Sequence, residues 1–134
     1  MFERCLYFNT NALVRRINKR WEAAYEKTGL SPSHAYLLRL VLEKKELSQK
    51  QITEELQLEK STVTRFVDVL TEKGLLKRTK RGREQMISVT EKGKKLKTQL
   101  NRIGDKLYTD LQSEFGSSEL KGLVDSLQRT SAKL

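Results

Sequence analysis

Hydrophobic residues recur every three or four positions near the start of the chain, which predicts an amphipathic helix over roughly residues 2–27. Its apolar face contains Leu6, Leu13, Val14, Ile17, Trp21 and Ala24. Gly29 follows closely, as is common after a helix C-terminus. Ser31 and Pro32 are typical first residues of a second helix. That helix is apolar on nearly every side, so it is predicted to be the buried centre of the fold.

Two further helices and a hairpin are predicted downstream. Ser48 and Gln51 have the spacing of a capping box, which indicates the start of a third helix. A fourth helix is predicted from about Lys60 to Lys73, and Gly74 ends it. Its inward face consists of Val63, Phe66, Val67 and Leu70. Residues 75–79 and 85–90 alternate in polarity around a turn at Gly82, which predicts two antiparallel strands.

The C-terminal part is predicted to be helical. Thr90 is a suitable cap for one long helix from Glu91 to about Phe115, roughly 37 Å in length. Gly116 separates it from a final helix. The apolar stripes of the outer helices exceed what a small core can cover, so a second copy of the chain is expected to cover them. The residues predicted to form this dimer contact are Leu6, Leu100, Ile103, Leu107, Leu111, Leu123 and Leu127.

The order of elements indicates the fold class. A helix, a short turn, a second helix and then a basic hairpin are typical of a winged helix-turn-helix. The sequence therefore predicts a mainly α fold with a small β-hairpin wing, flanked by N- and C-terminal dimerisation helices. We expect a single domain over residues 1–134. The DNA-binding lobe is expected at about 30–90, and the helical dimerisation region at about 1–29 and 91–134.

The charge of the chain narrows the choice of partner. There are 27 Lys and Arg residues against 17 Asp and Glu, giving a net charge of +10. Such an excess favours a polyanion, either nucleic acid or an anionic membrane surface. Eight basic residues and only two acidic ones lie between Lys60 and Arg83. Because this segment is the predicted second helix of the motif and its wing, the clustering favours double-stranded DNA.

The fourth helix has the residue types that reading a major groove requires. Ser61, Thr62 and Thr64 are small donors near its N-terminus, and Arg65 is long enough to reach a guanine edge. The alternative is a solvated helix face with capping residues. The hairpin residues are predicted to contact minor-groove phosphates, the alternative being a solvated, flexible loop. These residues are Lys77, Arg78, Lys80, Arg81 and Arg83.

Three stretches, GLSPSHAYLL, LSQKQITEELQLEKSTVTRFVDVLTEKGLLKR and ISVTEKG, resemble the MarR (multiple antibiotic resistance regulator) family. The resemblance implies a homodimer, a palindromic operator, and release from DNA by a small phenolic ligand or by oxidation. Ser61, Thr62, Thr64 and Arg65 match the recognition-helix contacts of the family. Arg83 matches its wing-tip arginine.

The chain departs from the family pattern at two places. Arg81 and Gly82 stand where the family usually has an acidic residue shortly before the wing-tip arginine, and the loop is shorter. An Asp-to-Arg brace within the wing is therefore expected to be absent. Gln57 stands where the turn commonly has glycine, and slight strain is expected if that position is left-handed.

Cys5 is the only cysteine, so no disulfide can form within the chain and a reduced, cytoplasmic setting is expected. Its position resembles a redox-sensing cysteine of the organic hydroperoxide branch of the family. Tyr7, Tyr25 and Tyr36 are tyrosines that such a site could use. The alternative for Cys5 is a small apolar residue in the dimer interface.

The aromatic residues Trp21, Tyr25 and Tyr36 either line an effector pocket or belong to the core. His34 is the only histidine, so it cannot form a standard zinc site with the one cysteine; it is expected to cap or decorate the second helix. No motif indicates an enzyme, a metal or another cofactor.

The predicted function is sequence-specific DNA binding by a transcriptional regulator, most simply a repressor. The alternatives are a winged-helix protein-interaction module and a nonspecific architectural DNA binder. The expected partners are double-stranded DNA, a second copy of the chain and a small effector molecule. No membrane association is expected, because no apolar run approaches the roughly 20 residues of a membrane span.

Overall fold

The computed structural model describes residues 1–134 as two units, Met1–Asn101 and Arg102–Leu134. Most of the chain is helical, and three strands form one small antiparallel sheet, so the predicted fold class is confirmed. The elements in chain order are α1 (Leu6–Tyr25), a 3₁₀ turn (Glu26–Thr28), α2 (Pro32–Lys44), β1 (Glu46–Ser48), α3 (Gln49–Leu56), α4 (Lys60–Glu72), β2 (Leu76–Arg81), β3 (Glu84–Val89), α5 (Glu91–Lys94), α6 (Lys97–Phe115) and α7 (Ser117–Lys133).

Side-chain caps fix where several helices begin. The Cys5 sulfur accepts a hydrogen bond from the Phe8 N–H at 3.4 Å, so α1 begins at Leu6 and not at Phe2. Ser31 caps α2 in the same way. The Ser48 hydroxyl accepts from the Gln51 N–H at 3.1 Å, while the Gln51 side chain accepts from the Ser48 N–H at 2.8 Å. The predicted capping box is therefore confirmed.

The sheet has the strand order β1-β3-β2 and contains one strand that the sequence did not predict. β1 is only three residues long, too short to show alternation, and Leu47 pairs with Ile87 of β3. The predicted hairpin is confirmed, since β2 and β3 are joined by a two-residue loop at Gly82 and Arg83. Gly82 has φ of 60°, which fits the first loop position of a type II′ turn.

The core of the first unit joins α2, α3, α4 and the sheet. The predicted central helix α2 is indeed buried through Leu37, Leu38 and Val41. The remaining fully buried large side chains of this core are Ile52, Val63, Val67, Leu70, Leu76 and Ile87. Phe66 stays partly exposed and packs its ring edge-on against His34, with the ring centroids 4.7 Å apart. This core holds α4 and the hairpin in one lobe.

The prediction of one helix from Glu91 to Phe115 is wrong, because α5 ends at Lys94 and α6 begins at Lys97. Thr90 caps α5 as predicted. The Leu96 N–H donates to the Gly93 carbonyl at 3.1 Å, a tighter i→i−3 bond that interrupts the α-helical pattern. A Cβ added at Gly93 would lie 2.3 Å from the Leu75 carbonyl oxygen. This close approach packs α5 against the residue that precedes β2.

The second unit contains the rest of α6 and α7, which meet at Gly116 with φ of 85°. Leu107 and Leu120 are buried, whereas Leu123 and Leu127 are 43% and 46% exposed. None of the helices is long and apolar enough to cross a membrane.

Two residues of the predicted dimer contact are corrected by the fold. Leu100 is fully buried in the first unit and Leu107 is only 6% exposed, so their own chain already covers them. Part of the apolar face of α6 is therefore packed within the same chain, which leaves fewer of its side chains available for a dimer contact. Leu6, Leu123 and Leu127 remain exposed. Ile103 and Leu111 are partly exposed, and the contact through these five residues stays a prediction.

Candidate nucleic-acid interface

The N-terminus of α4 presents polar groups to solvent. Its N-cap residue, Glu59, forms no side-chain capping bond, so the first backbone N–H groups remain available to an anion. Ser61 and Arg65 are exposed and Thr62 is partly exposed, while Val63 on the other side is fully buried. The helix thus has the predicted division between an anchored face and an accessible polar face.

Two of the predicted contact residues on α4 have partners within the chain. The Thr64 hydroxyl donates to the Lys60 carbonyl at 3.0 Å and accepts from the Gln49 side-chain amide at 2.7 Å. These bonds join α3 to α4, so Thr64 would have to give one of them up to contact DNA through its hydroxyl. The Arg65 guanidinium donates only a long bond of 3.4 Å to the Thr62 hydroxyl. Arg65 therefore has no ion pair to break before reaching a base.

The wing contains both paired and unpaired basic residues. Lys77, Lys80 and Arg83 are exposed and have no carboxylate partner. Arg78 forms an ion pair with Asp68 of α4. Arg81 forms one with Glu46 of β1, at 2.6 Å. The hairpin has one acidic residue of its own, Glu84 at the start of β3, and the fold supplies from elsewhere the two carboxylates that pair with Arg78 and Arg81.

These acidic partners were not identified from the sequence. Glu46 lies on a strand too short to predict. The register places it opposite Ser88, which pairs with Lys77, and the long Arg81 side chain reaches Glu46 diagonally along the same face of the sheet. Asp68 follows Arg65 by one helical turn, so it shares the accessible face of α4. Its ion pair with Arg78 therefore places the base of the wing beside that face.

The turn before α4 is strained as expected. Gln57 has φ of 53° and ψ of 44°, a left-handed conformation in which its N–H donates to the Thr53 carbonyl. A residue with a side chain is rarely found there, which explains why glycine is common at this position of the motif.

Residues 28–84 match a protein-family model described as the MarR family. This segment contains α2, β1, α3, α4 and β2 and ends at the first residue of β3. Over this segment, which is less than half of the chain, the sequence is similar to the MarR family. No curated protein matches the chain.

Solved structures share the fold of this chain at low sequence identity. The S. aureus MepR–DNA complex has a TM-score of 0.86 at 18% identity, covering 98% of this chain and 99% of that one. A putative MarR-family regulator from Listeria monocytogenes, complexed with 26mer DNA, gives 0.79 at 16% identity, covering 97% and 89%. CouR from Rhodococcus jostii RHA1, bound to p-coumaroyl-CoA, gives 0.79 at 22% identity, covering 96% and 92%.

In this fold the three predicted effector-pocket residues lie together. The Trp21 indole donates to the Tyr36 hydroxyl at 3.2 Å, and the rings of Tyr25 and Tyr36 meet edge-on at 6.0 Å. The buried Tyr25 hydroxyl has no hydrogen-bond partner, which is costly for a polar atom. Burial, and then Tyr36, raise the pKa of Tyr25 to about 12. Arg39 lies over the Tyr36 ring at 5.4 Å.

The remaining candidates have structural partners. Cys5 precedes α1 and caps it, which places it outside the helix. His34 does more than decorate α2, because its ring packs against Phe66 and links α2 to α4. Burial, followed by the positive charge of Lys73, holds the pKa of His34 below its usual value. A positive charge on His34 is thus unfavourable in the folded lobe.

Proposed function

We propose that this chain is a regulator of the MarR family, a sequence-specific DNA-binding repressor that acts as a homodimer on a palindromic operator. The observation that carries the proposal is Arg65, which is exposed and unpaired on the accessible face of α4 next to a basic wing. A long donor in this place suits bidentate binding to guanine O6 and N7. Ser61 and Thr62 are small enough to let the helix approach the bases.

The wing is proposed to bind the phosphate backbone. The unpaired residues Lys77, Lys80 and Arg83 supply charge without first losing an internal partner. Arg78 and Arg81 have carboxylate partners, so each would have to exchange one anion for another on binding DNA. Arg83 sits in the hairpin loop, where a wing reaches furthest, and we assign it to the minor groove.

The dimer is proposed to form through the exposed apolar faces of α1 and α7. On α1 these include Leu6, which is 59% exposed, and on α7 Leu123 and Leu127. Burying exposed apolar surface of this kind is favourable. In a symmetric dimer the same faces of both copies become buried together. A twofold dimer also explains why the operator should be palindromic.

The aromatic cluster of Trp21, Tyr25 and Tyr36 is proposed to bind a small phenolic effector. A phenolic ligand offers a ring that can pack against the rings of Trp21 and Tyr36, which keep some solvent exposure, next to the fully buried Tyr25. Oxidation sensing by Cys5 has weaker support, because its sulfur is engaged as a helix cap. A regulator of this kind acts on chromosomal DNA, so we place it in the cytoplasm.

Two substitutions test the proposal by fluorescence anisotropy on an operator duplex and single-base variants of it. Arg65→Ala should cost about 1–3 kcal/mol and relax the preference at one base position in each half-site. Arg83→Ala should weaken binding to all duplexes and flatten the salt dependence. A uniform loss for Arg65→Ala would place that residue on phosphate, and an unchanged salt slope for Arg83→Ala would remove the wing contact.

A further inference from the structure

A cavity of about 800 Å³ lies behind the wing, away from α4. It is formed by the end of α2, the outer face of the sheet and the junction of α5 and α6. Its volume is within the range of small-molecule sites in proteins. Five basic residues line it, namely Lys45, Lys77, Arg81, Lys94 and Lys97.

The cavity has a large excess of positive charge. Glu46 is its only acidic lining residue, and that carboxylate is paired with Arg81 at 2.6 Å. Lys94 is paired with Glu91, which lies outside the lining, at 2.9 Å. Lys45, Lys77 and Lys97 have no carboxylate partner. Like charges gathered around one concave space repel each other unless an anion lies between them.

The lining also has groups suited to an organic ligand. Val41, Leu42 and Val89 supply an apolar surface, and the hydroxyls of Thr79 and Ser88 supply hydrogen bonds. A mixture of apolar surface with a few converging polar groups is typical of a small-molecule site. A straight stretch of DNA backbone, by contrast, gains nothing from an apolar concave surface.

The backbone at the edge of the cavity is strained. Lys45 has φ of 71° and ψ of −48°, a conformation that residues other than glycine rarely adopt. The chain turns there from α2 into β1 and carries the lysine into the lining. Strain of this kind is often found at ligand sites.

We propose that this cavity binds a small phosphorylated organic molecule, and that the bound molecule acts as an effector by competing with DNA for Arg81. Phosphate groups carry up to two charges each, which matches the density of cations. The apolar surface receives the organic part. Binding itself is independent of the function proposed above, whereas the effector role rests on it.

The test of binding uses adenosine triphosphate and inorganic tripolyphosphate as probes, titrated calorimetrically into the intact protein without DNA at fixed ionic strength. We expect one site per chain and tighter binding of the nucleotide, because only the nucleotide has an organic part. The double variant Lys45→Gln/Lys97→Gln should weaken binding about tenfold or more. The control Lys19→Gln/Lys27→Gln removes the same charge elsewhere and should leave binding unchanged.

Three results would overturn the site: no binding to the parent protein, equal weakening in both double variants, or equal weakening by Arg65→Ala, which would place the anion on α4. If the parent protein binds neither probe and Lys45→Gln/Lys97→Gln lowers DNA affinity, the cavity belongs to the DNA interface. That result would also overturn the proposed small-molecule site.

The effector role is tested by adding the nucleotide during the operator titration. We expect the operator affinity of the parent to fall severalfold, with no such fall for Lys45→Gln/Lys97→Gln. A fall that persists in this double variant, or no fall in the parent, would overturn the effector role. If the parent binds the nucleotide but no DNA, the proposed function fails and the binding site stands.

Discussion

Gly93 shows how one residue can determine how closely two elements pack. It is buried at the point where α5 meets the start of β2, and an added Cβ would lie 2.3 Å from the Leu75 oxygen and 2.5 Å from a Val89 methyl. Neither backbone nor a core side chain can move away cheaply. The sequence around Gly93 is recognisable as a motif. The reason why this position needs glycine is its contact with Leu75, which only the structure shows.

Gly93→Ala should therefore destabilise the protein by about 2–3 kcal/mol in urea unfolding. Gly122→Ala is the matched control, because Gly122 lies in α7 with nothing within 4 Å of its added Cβ. The control should stay within about 1 kcal/mol of the parent, on the stabilising side. Equal unfolding midpoints for the two variants would contradict the close approach.

His34 gives the lobe a pH dependence whose sign follows from its surroundings. Its pKa is lower in the folded protein than its ordinary value of 6.5, chiefly through burial. Between the pKa of His34 in the folded protein and its pKa in the unfolded chain, the unfolded chain binds more protons. The free energy of unfolding therefore falls as the pH drops below the unfolded pKa of 6.5. Above the unfolded pKa, His34 is neutral in both states and no longer lowers the free energy of unfolding.

The comparison is urea unfolding at about pH 7.5 and about pH 5.5, above the range where most carboxylates titrate. The loss of stability between these pH values should be smaller in His34→Gln, which does not titrate. Losses of equal size in the parent and the variant would show that His34 is not responsible.

At the scale of elements, most of the DNA-binding lobe was predictable because its signals are local. Ser31, Ser48 and Thr90 act as caps at the predicted positions, and Gln57 is left-handed as anticipated. What escaped prediction depends on distant parts of the chain. β1 forms because β3 pairs with it, and the close approach of Gly93 to Leu75 joins residues 18 positions apart.

The candidate interface likewise has features that local sequence predicts and features that depend on distant parts of the chain. The polar face of α4 and the basic wing were predictable from residue type, and the pairing of Arg78 and Arg81 was not. Those ion pairs require Asp68 and Glu46 to be brought across the fold. Counting charges along the chain therefore overstates the charge that the wing offers to DNA.

Glu46→Gln tests the consequence for the wing. Removing this carboxylate frees Arg81, so affinity for any duplex should increase and the log–log salt slope should steepen by up to about 0.9. Glu26→Gln removes the same charge from the 3₁₀ turn and is the control. If Glu46→Gln and Glu26→Gln have the same DNA affinity and the same salt slope, Glu46 does not limit the contact of Arg81 with DNA.

At the scale of the whole molecule, the account requires a second copy of the chain. The correction at Leu100 and Leu107 matters here, because a charge at either position would damage the fold of the chain itself. Leu127 on α7 is the better test, since it is 46% exposed and has little role within one chain.

Leu127→Asp should convert the protein from dimer to monomer in sedimentation at micromolar concentration, while the helical signal is retained. Ala132→Asp introduces the same charge at an exposed position on the opposite side of α7 and should remain dimeric. A dimeric Leu127→Asp protein would show that α7 is not at the interface.

The central claim is sequence-specific binding of DNA by a dimer. Its most direct test is fluorescence anisotropy of the parent protein with DNA from upstream of its own gene and with a scrambled duplex of equal length, at several salt concentrations. The account predicts a clear preference for the upstream DNA, two chains per duplex, and affinity that falls with salt at about −0.9 per phosphate contacted. Absence of binding to either duplex at low salt would contradict it and favour a protein-interaction module.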